Sequence, residues 1–180
     1  MEQFADWRIA YAKQAKVDLQ TRDELLRHPG IPNCQQLHFL QMACEKICKA
    51  YLCGQGTDPE TLQSSHAYVA GPLPVIARQQ FALQSGHVQK DRSWMIAAIR
   101  KLARKIELLA PAVKAGGAVP ANCEYPWVGP DGSVKVPAEY NFQFDLLYEE
   151  AGRHLLKALF SAVDDLCSTS TTSSPPGRSG

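Results

Sequence analysis

A chain of 180 residues, 45 % hydrophobic and 21 % charged, is long enough for one domain with a full core and has the make-up of an ordinary globular protein. Its net charge of +1 excludes a polycation, so a nucleic-acid role would have to come from a local basic stripe. No apolar run approaches the length of a membrane span, and the charged, amphipathic first residues do not read as a secretory signal.

The first helix is predicted from Phe4 to about Leu26, where Phe4, Trp7, Tyr11, Ala15, Leu19 and Leu26 trace a stripe at helical spacing. His28-Pro29-Gly30 stops it. Asn33 is then expected to cap a second helix, with Gln36 in the reciprocal position of a capping box. Leu37, Leu40, Cys44, Ile47, Cys48 and Tyr51 give that helix one dry stripe, and Gly54, Gly56 and Pro59 end it. Residues 57 to 65 read as a loop. A third helix is expected from about Leu73 to Gln84, after a start broken by Gly71, Pro72 and Pro74.

Asp91 or Ser93 is expected to cap a fourth helix running to about Leu109, with Met95, Ile99, Leu102, Ile106 and Leu109 as its core stripe. Pro111 and Gly116-Gly117 terminate it. Residues 112 to 138 are rich in proline and glycine, and Val128 to Val136 reads as a turn with short extended arms. A fifth helix is expected from about Ala138 to Cys167, and the Ser/Thr/Pro tail from Ser168 lacks the means to form a core. The expected fold is therefore all-α: an antiparallel up-and-down bundle of four to five helices in residues 1–167, with an irregular insertion at 112–138 before the last helix. Long irregular loops inside compact domains are usually functional, which directs attention to that insertion.

Six cysteines (Cys34, Cys44, Cys48, Cys53, Cys123 and Cys167) show no Cys-x-x-Cys pair and no Cys-His spacing of a zinc module. They read as structural thiols in a reduced, cytoplasmic setting, with no metal and no cofactor expected.

Asp18-Leu19, the helix MACEKICKAYL (Met42–Leu52), Ser65-His66 and Glu124-Tyr125-Pro126 together resemble, in order and spacing, the motifs of the HEPN domain family (higher eukaryotes and prokaryotes nucleotide-binding). The resemblance covers most of residues 4 to 166. It implies a helical bundle, often a homodimer, in a family of metal-independent ribonucleases, nucleotide-binding modules, toxin–antitoxin components and catalytically silent scaffolds. The family's nucleases carry Arg followed by His after four to six residues: Arg stabilises the phosphate transition state and His shuttles the proton. Arg22 and His28 have that spacing here but lie at the end of the first helix, and Glu124 stands where Arg-Tyr-Pro would begin.

The candidate residues follow from chemistry. Arg153-His154, with Glu149 and Glu150 one turn earlier, forms either an Arg/His phosphate or proton-transfer site or a solvated face with two i,i+4 ion pairs. His66 either faces the cleft or satisfies a local polar group such as Asp18. Arg92, Arg100, Lys101, Arg104 and Lys105 make a basic ridge on the fourth helix, able to track phosphates or simply to meet solvent. Tyr125 and Trp127 either stack on a base or pack as a lid. Cys123 lacks an activating histidine beside it. The expected function is a HEPN-like non-catalytic module for nucleotide, RNA or a protein partner. The alternative is a metal-independent ribonuclease using Arg153, His154 or His66.

Overall fold

The computed structural model describes residues 2–85, 92–114 and 120–168. Asp91, Gly116-Gly117 and the tail beyond Ser168 lie outside the described residues. The fold among the described residues is an all-α helical bundle with a two-stranded hairpin. Among the described residues no helix is long and apolar enough to cross a membrane.

The first two predicted helices are present as α1 (Glu2–Leu25) and α2 (Asn33–Gly54). Ala12, Ala15 and Leu19 of α1 are fully buried, as are Leu40, Ala43, Cys44, Ile47 and Cys48 of α2, so the middles of the two stripes are buried as the spacing predicts. Leu26, expected to end the first stripe, lies beyond α1 and is exposed. Asn33 does not cap α2. Pro32 holds the entry position in an extended conformation (φ −56°, ψ 142°) with no side-chain cap, and Asn33 is the first helical residue.

Residues 57 to 65 are not all loop, for they contain α3 (Pro59–Gln63). Asp58 caps it by accepting from the Thr61 amide at 3.0 Å and the Thr61 hydroxyl at 3.0 Å, and Pro59 follows with its φ already suited to a first turn. Next come α4 (Pro72–Ser85) and α5 (Ser93–Glu107), each close to its expected span. Arg92, not Ser93, occupies the position before α5.

The insertion holds a hairpin, β1 (Trp127–Val128) with β2 (Val134–Lys135), pairing Trp127 with Lys135 and Val128 with Val134. Its turn closes through the Gly132 amide onto the Gly129 carbonyl at 3.0 Å, with Gly132 at φ 75°. A left-handed residue after a tight turn is the usual place for glycine. The strap is tied down near its start. The Cys123 amide donates to the Leu109 carbonyl at 3.2 Å, and His38 of α2 lies 3.5 Å from Glu124. Trp127, Tyr140 and Phe142 pack edge-to-face or tilted, their ring centroids 4.9 to 6.2 Å apart.

The last helix differs most from expectation. A 3-10 turn (Pro137–Glu139), an extended stretch and α6 (Asp145–Tyr148) precede it, and α7 runs only from Glu150 to Ser168. Phe142 and Phe144 are buried from outside any helix, so their apolar character is satisfied without one. The α6–α7 fold-back is close: a Cβ on Gly152 would run into the Leu147 carbonyl, and glycine lets the two backbones approach. Helices α4, α5 and α7 pack on one another and on α2, and their buried faces share one apolar cluster.

Candidate functional site

Helix α5 has one dry face, made of Met95, Ile96, Ile99, Leu102, Ala103 and Ile106. The i,i+4 spacing of Arg100 and Arg104 puts both guanidiniums on the opposite, wet side. Helix α4 lies alongside, with Phe81 near Arg92 at one end and Gly71 to Val75 beside the two arginines at the other. The result is a cleft of about 260 Å³ lined by Ala70, Gly71, Pro74, Val75, Arg78, Arg100 and Arg104. All three arginines are exposed. None of their guanidiniums has a hydrogen-bond or ion-pair partner among the described residues. Three like charges converging with no carboxylate ion-paired to them repel one another and favour an anion between them.

One wall is fixed by Glu107, a turn beyond Arg104. Its Oε2 accepts from the amides of Val69 and Ala70, both at 2.8 Å. These are charge-assisted bonds at the entry to α4, where amides point outward and favour negative charge. Pro72 and Pro74 add no N–H there. The side-chain donors lining the cleft are the three guanidiniums.

The rest of the predicted ridge is dispersed. Arg92 turns back, donating to the Phe81 carbonyl at 3.2 Å with its guanidinium 5.3 Å from the Phe81 ring. Lys105 donates to the Gln143 carbonyl at 3.3 Å and lies 5.9 Å from the Phe144 ring, so it holds the strap. Lys101 is exposed and does not line the cleft. Trp127 is buried, 8 % exposed, in its ring cluster, while Tyr125 is 61 % exposed. Neither lines the cleft.

The predicted acid–base candidates have separate partners. Arg153 does not pair with Glu149, which falls at the break before α7; its guanidinium donates to the Tyr148 carbonyl at 2.7 Å. His154 lies 3.8 Å from Glu150 and meets the Phe81 ring edge-on at 6.0 Å. His66 does not reach Asp18. Its Nδ1 is 3.1 Å from both carboxylate oxygens of Glu45. Arg22 is buried against Asp23 at 2.7 Å, and the exposed His28 pairs with Glu24 at 3.2 Å. The family-type spacing therefore does not bring Arg22 and His28 together.

Glu45 centres a polar seam on α2 that sequence reasoning misses. It is 4 % exposed and accepts from Gln41 at 2.9 Å and Lys49 at 2.7 Å in addition to meeting His66. Beside it Lys46 donates to Asp18 of α1 at 2.5 Å. Buried charges persist when each is paired, and the i,i+4 spacing of Glu45 and Lys49 is the available signal. Burial pushes the Cys44 thiol up to about 12 and the Cys48 and Cys123 thiols up as well, which suits structural thiols rather than nucleophiles. Among the described residues no group of three or more His, Cys, Asp or Glu is arranged to hold a metal ion.

Comparison of the chain with family models, with curated proteins and with solved structures yields no match.

Proposed function

We propose that the chain is a non-catalytic binding module for phosphate-bearing ligands, nucleotide or RNA, and that the α4–α5 cleft is its phosphate site. The observation that carries this reading is the convergence of Arg78, Arg100 and Arg104, all unpaired among the described residues, on one cleft. Guanidiniums are planar, permanently charged and matched to phosphate oxygens. The HEPN resemblance of Asp18-Leu19, Met42–Leu52 and Ser65-His66 supports the same class of ligand. The separate engagement of Arg153, His154 and His66 favours binding over ribonuclease chemistry, since proton transfer to a phosphate needs Arg and His around one point. The six free cysteines fit a cytoplasmic setting.

The test is calorimetric titration of the protein with inorganic pyrophosphate and with a short RNA oligonucleotide. Arg100→Gln with Arg104→Gln should weaken both by about tenfold or more, because each charge-assisted bond contributes roughly 1.5–3 kcal/mol. His66→Ala and His154→Ala should bind as the wild type does. Retained binding in the double arginine variant overturns the site. RNA cleavage in excess chelator that disappears in either histidine variant overturns the non-catalytic reading. Light scattering on the purified chain tests the homodimer that the resemblance implies.

A further inference from the structure

We infer that the cleft grips the phosphodiester backbone of a nucleic-acid strand and leaves the bases unread. This rests on the phosphate-site reading above and adds what kind of ligand carries the phosphates.

Size comes first. At about 260 Å³ the cleft falls short of the roughly 300–1,000 Å³ that enclose a drug-sized ligand. It takes phosphate groups and leaves a nucleoside outside. The lining supplies the second argument. Ala70, Gly71, Pro74 and Val75 offer no aromatic face, and no side-chain amide or hydroxyl is among the lining residues. Base reading without an enclosing pocket depends on stacking or on paired donors and acceptors. Guanidiniums donate only: they suit phosphate oxygens, and among base edges they match the paired acceptors of guanine but have nothing to offer the donor groups of adenine and cytosine. The amides of Val69 and Ala70 beside the cleft are already held by Glu107.

Nearby aromatics do not change this. Trp94 is half-exposed on α5, but it stands six positions before Arg100, about 9 Å along the axis at roughly 1.5 Å per residue, and it does not line the cleft. Tyr125 and Trp127 belong to the strap and do not line the cleft.

A strand fits better than a single nucleotide because of how the charges are laid out. Arg100 and Arg104 are separated by about 6 Å along the helix axis, four residues at roughly 1.5 Å each, and Arg78 reaches in from the facing helix. Cations set along a groove meet successive phosphates of a passing chain. With no aromatic platform and no side-chain acceptor in the lining, RNA and DNA strands of uracil, adenine or thymine are equivalent ligands. With three phosphates neutralised, the slope of log K against log salt for a single strand is about −2.

The experiment uses the full chain and fluorescence anisotropy with four labelled 15-mers: oligo(U), oligo(A), oligo(dT) and an abasic deoxyribose-phosphate strand, each across a salt series. Unlabelled pyrophosphate and ADP serve as competitors. The expected result is that all four strands bind within about threefold of one another, with the slope given above, and that replacing Arg78, Arg100 and Arg104 by Gln abolishes binding while the helical circular-dichroism spectrum is kept. Tighter binding of any base-bearing strand than the abasic strand by more than about tenfold overturns the inference and leaves the phosphate site standing. Binding of ADP or pyrophosphate without binding of any strand does the same. If neither strands nor small phosphates bind, the proposed function falls with the inference.

Discussion

Two sets of charges sit on neighbouring elements of this bundle under opposite conditions. On α2, Glu45 and Lys49 are 5 % and 6 % exposed at their side chains and are bonded to each other at 2.7 Å. On α4 and α5, Arg78, Arg100 and Arg104 are exposed and their guanidiniums have no partner among the described residues. A dry charge has to be matched within the protein, because taking an ion out of water costs several kcal/mol. A wet charge carries no such requirement and remains available to a ligand. The difference separates charges that hold the fold from charges that meet a partner.

The comparison breaks first if stability does not follow it. Glu45→Ala leaves Lys49 buried without its carboxylate and should cost about 3–5 kcal/mol in urea unfolding. Arg100→Ala and Arg104→Ala should stay within about 0.5 kcal/mol of wild type. Equal losses in both sets would remove the distinction. A smaller effect sharpens it from outside both regions. Gly152→Ala forces a methyl group against the Leu147 carbonyl and should cost about 1–3 kcal/mol by overpacking. Its phosphate binding should be unchanged, which shows that lost stability alone does not empty the cleft.

The smallest expected effect is a pH dependence. Bonds from the Thr61 amide, then the Thr61 hydroxyl, hold the Asp58 carboxyl below its ordinary value of 3.8. A lowered folded pKa contributes stability above the unfolded value, and that contribution disappears as pH falls through the folded value. Asp58→Ala should therefore lower the melting temperature slightly near neutral pH. The gap from wild type should close below about pH 4. A gap that persists in acid would assign the effect to helix packing rather than to the charged cap.

The long helices are legible in the sequence because each carries a full stripe: Ala15 and Leu19 on α1, Leu37 to Cys48 on α2, Met95 to Ile106 on α5. The start of α7 is hidden. Phe144 and Leu147 fit a helical period, yet Phe144 is buried from the position before α6 and Leu147 belongs to that separate short helix. Periodicity records which residues are buried and not the backbone that buries them. The five-residue α3 has too few turns to show a stripe, although Asp58-Pro59 is its written signal. Within the candidate site, Arg100 and Arg104 are visible through their spacing. Arg78 stands alone on another helix and joins them only through tertiary packing. Lys105 and Arg92 share the sequence pattern but are drawn off by Gln143 and Phe81, contacts that no local pattern encodes.

Glu107 clasps the amides of Val69 and Ala70 from the same helix that carries Arg104, so the two banks of the cleft are stapled before anything arrives. Its consequence is kinetic. With that wall already in place, capture should be governed by diffusional encounter in the arginines' field, and salt should slow arrival more than it hastens departure.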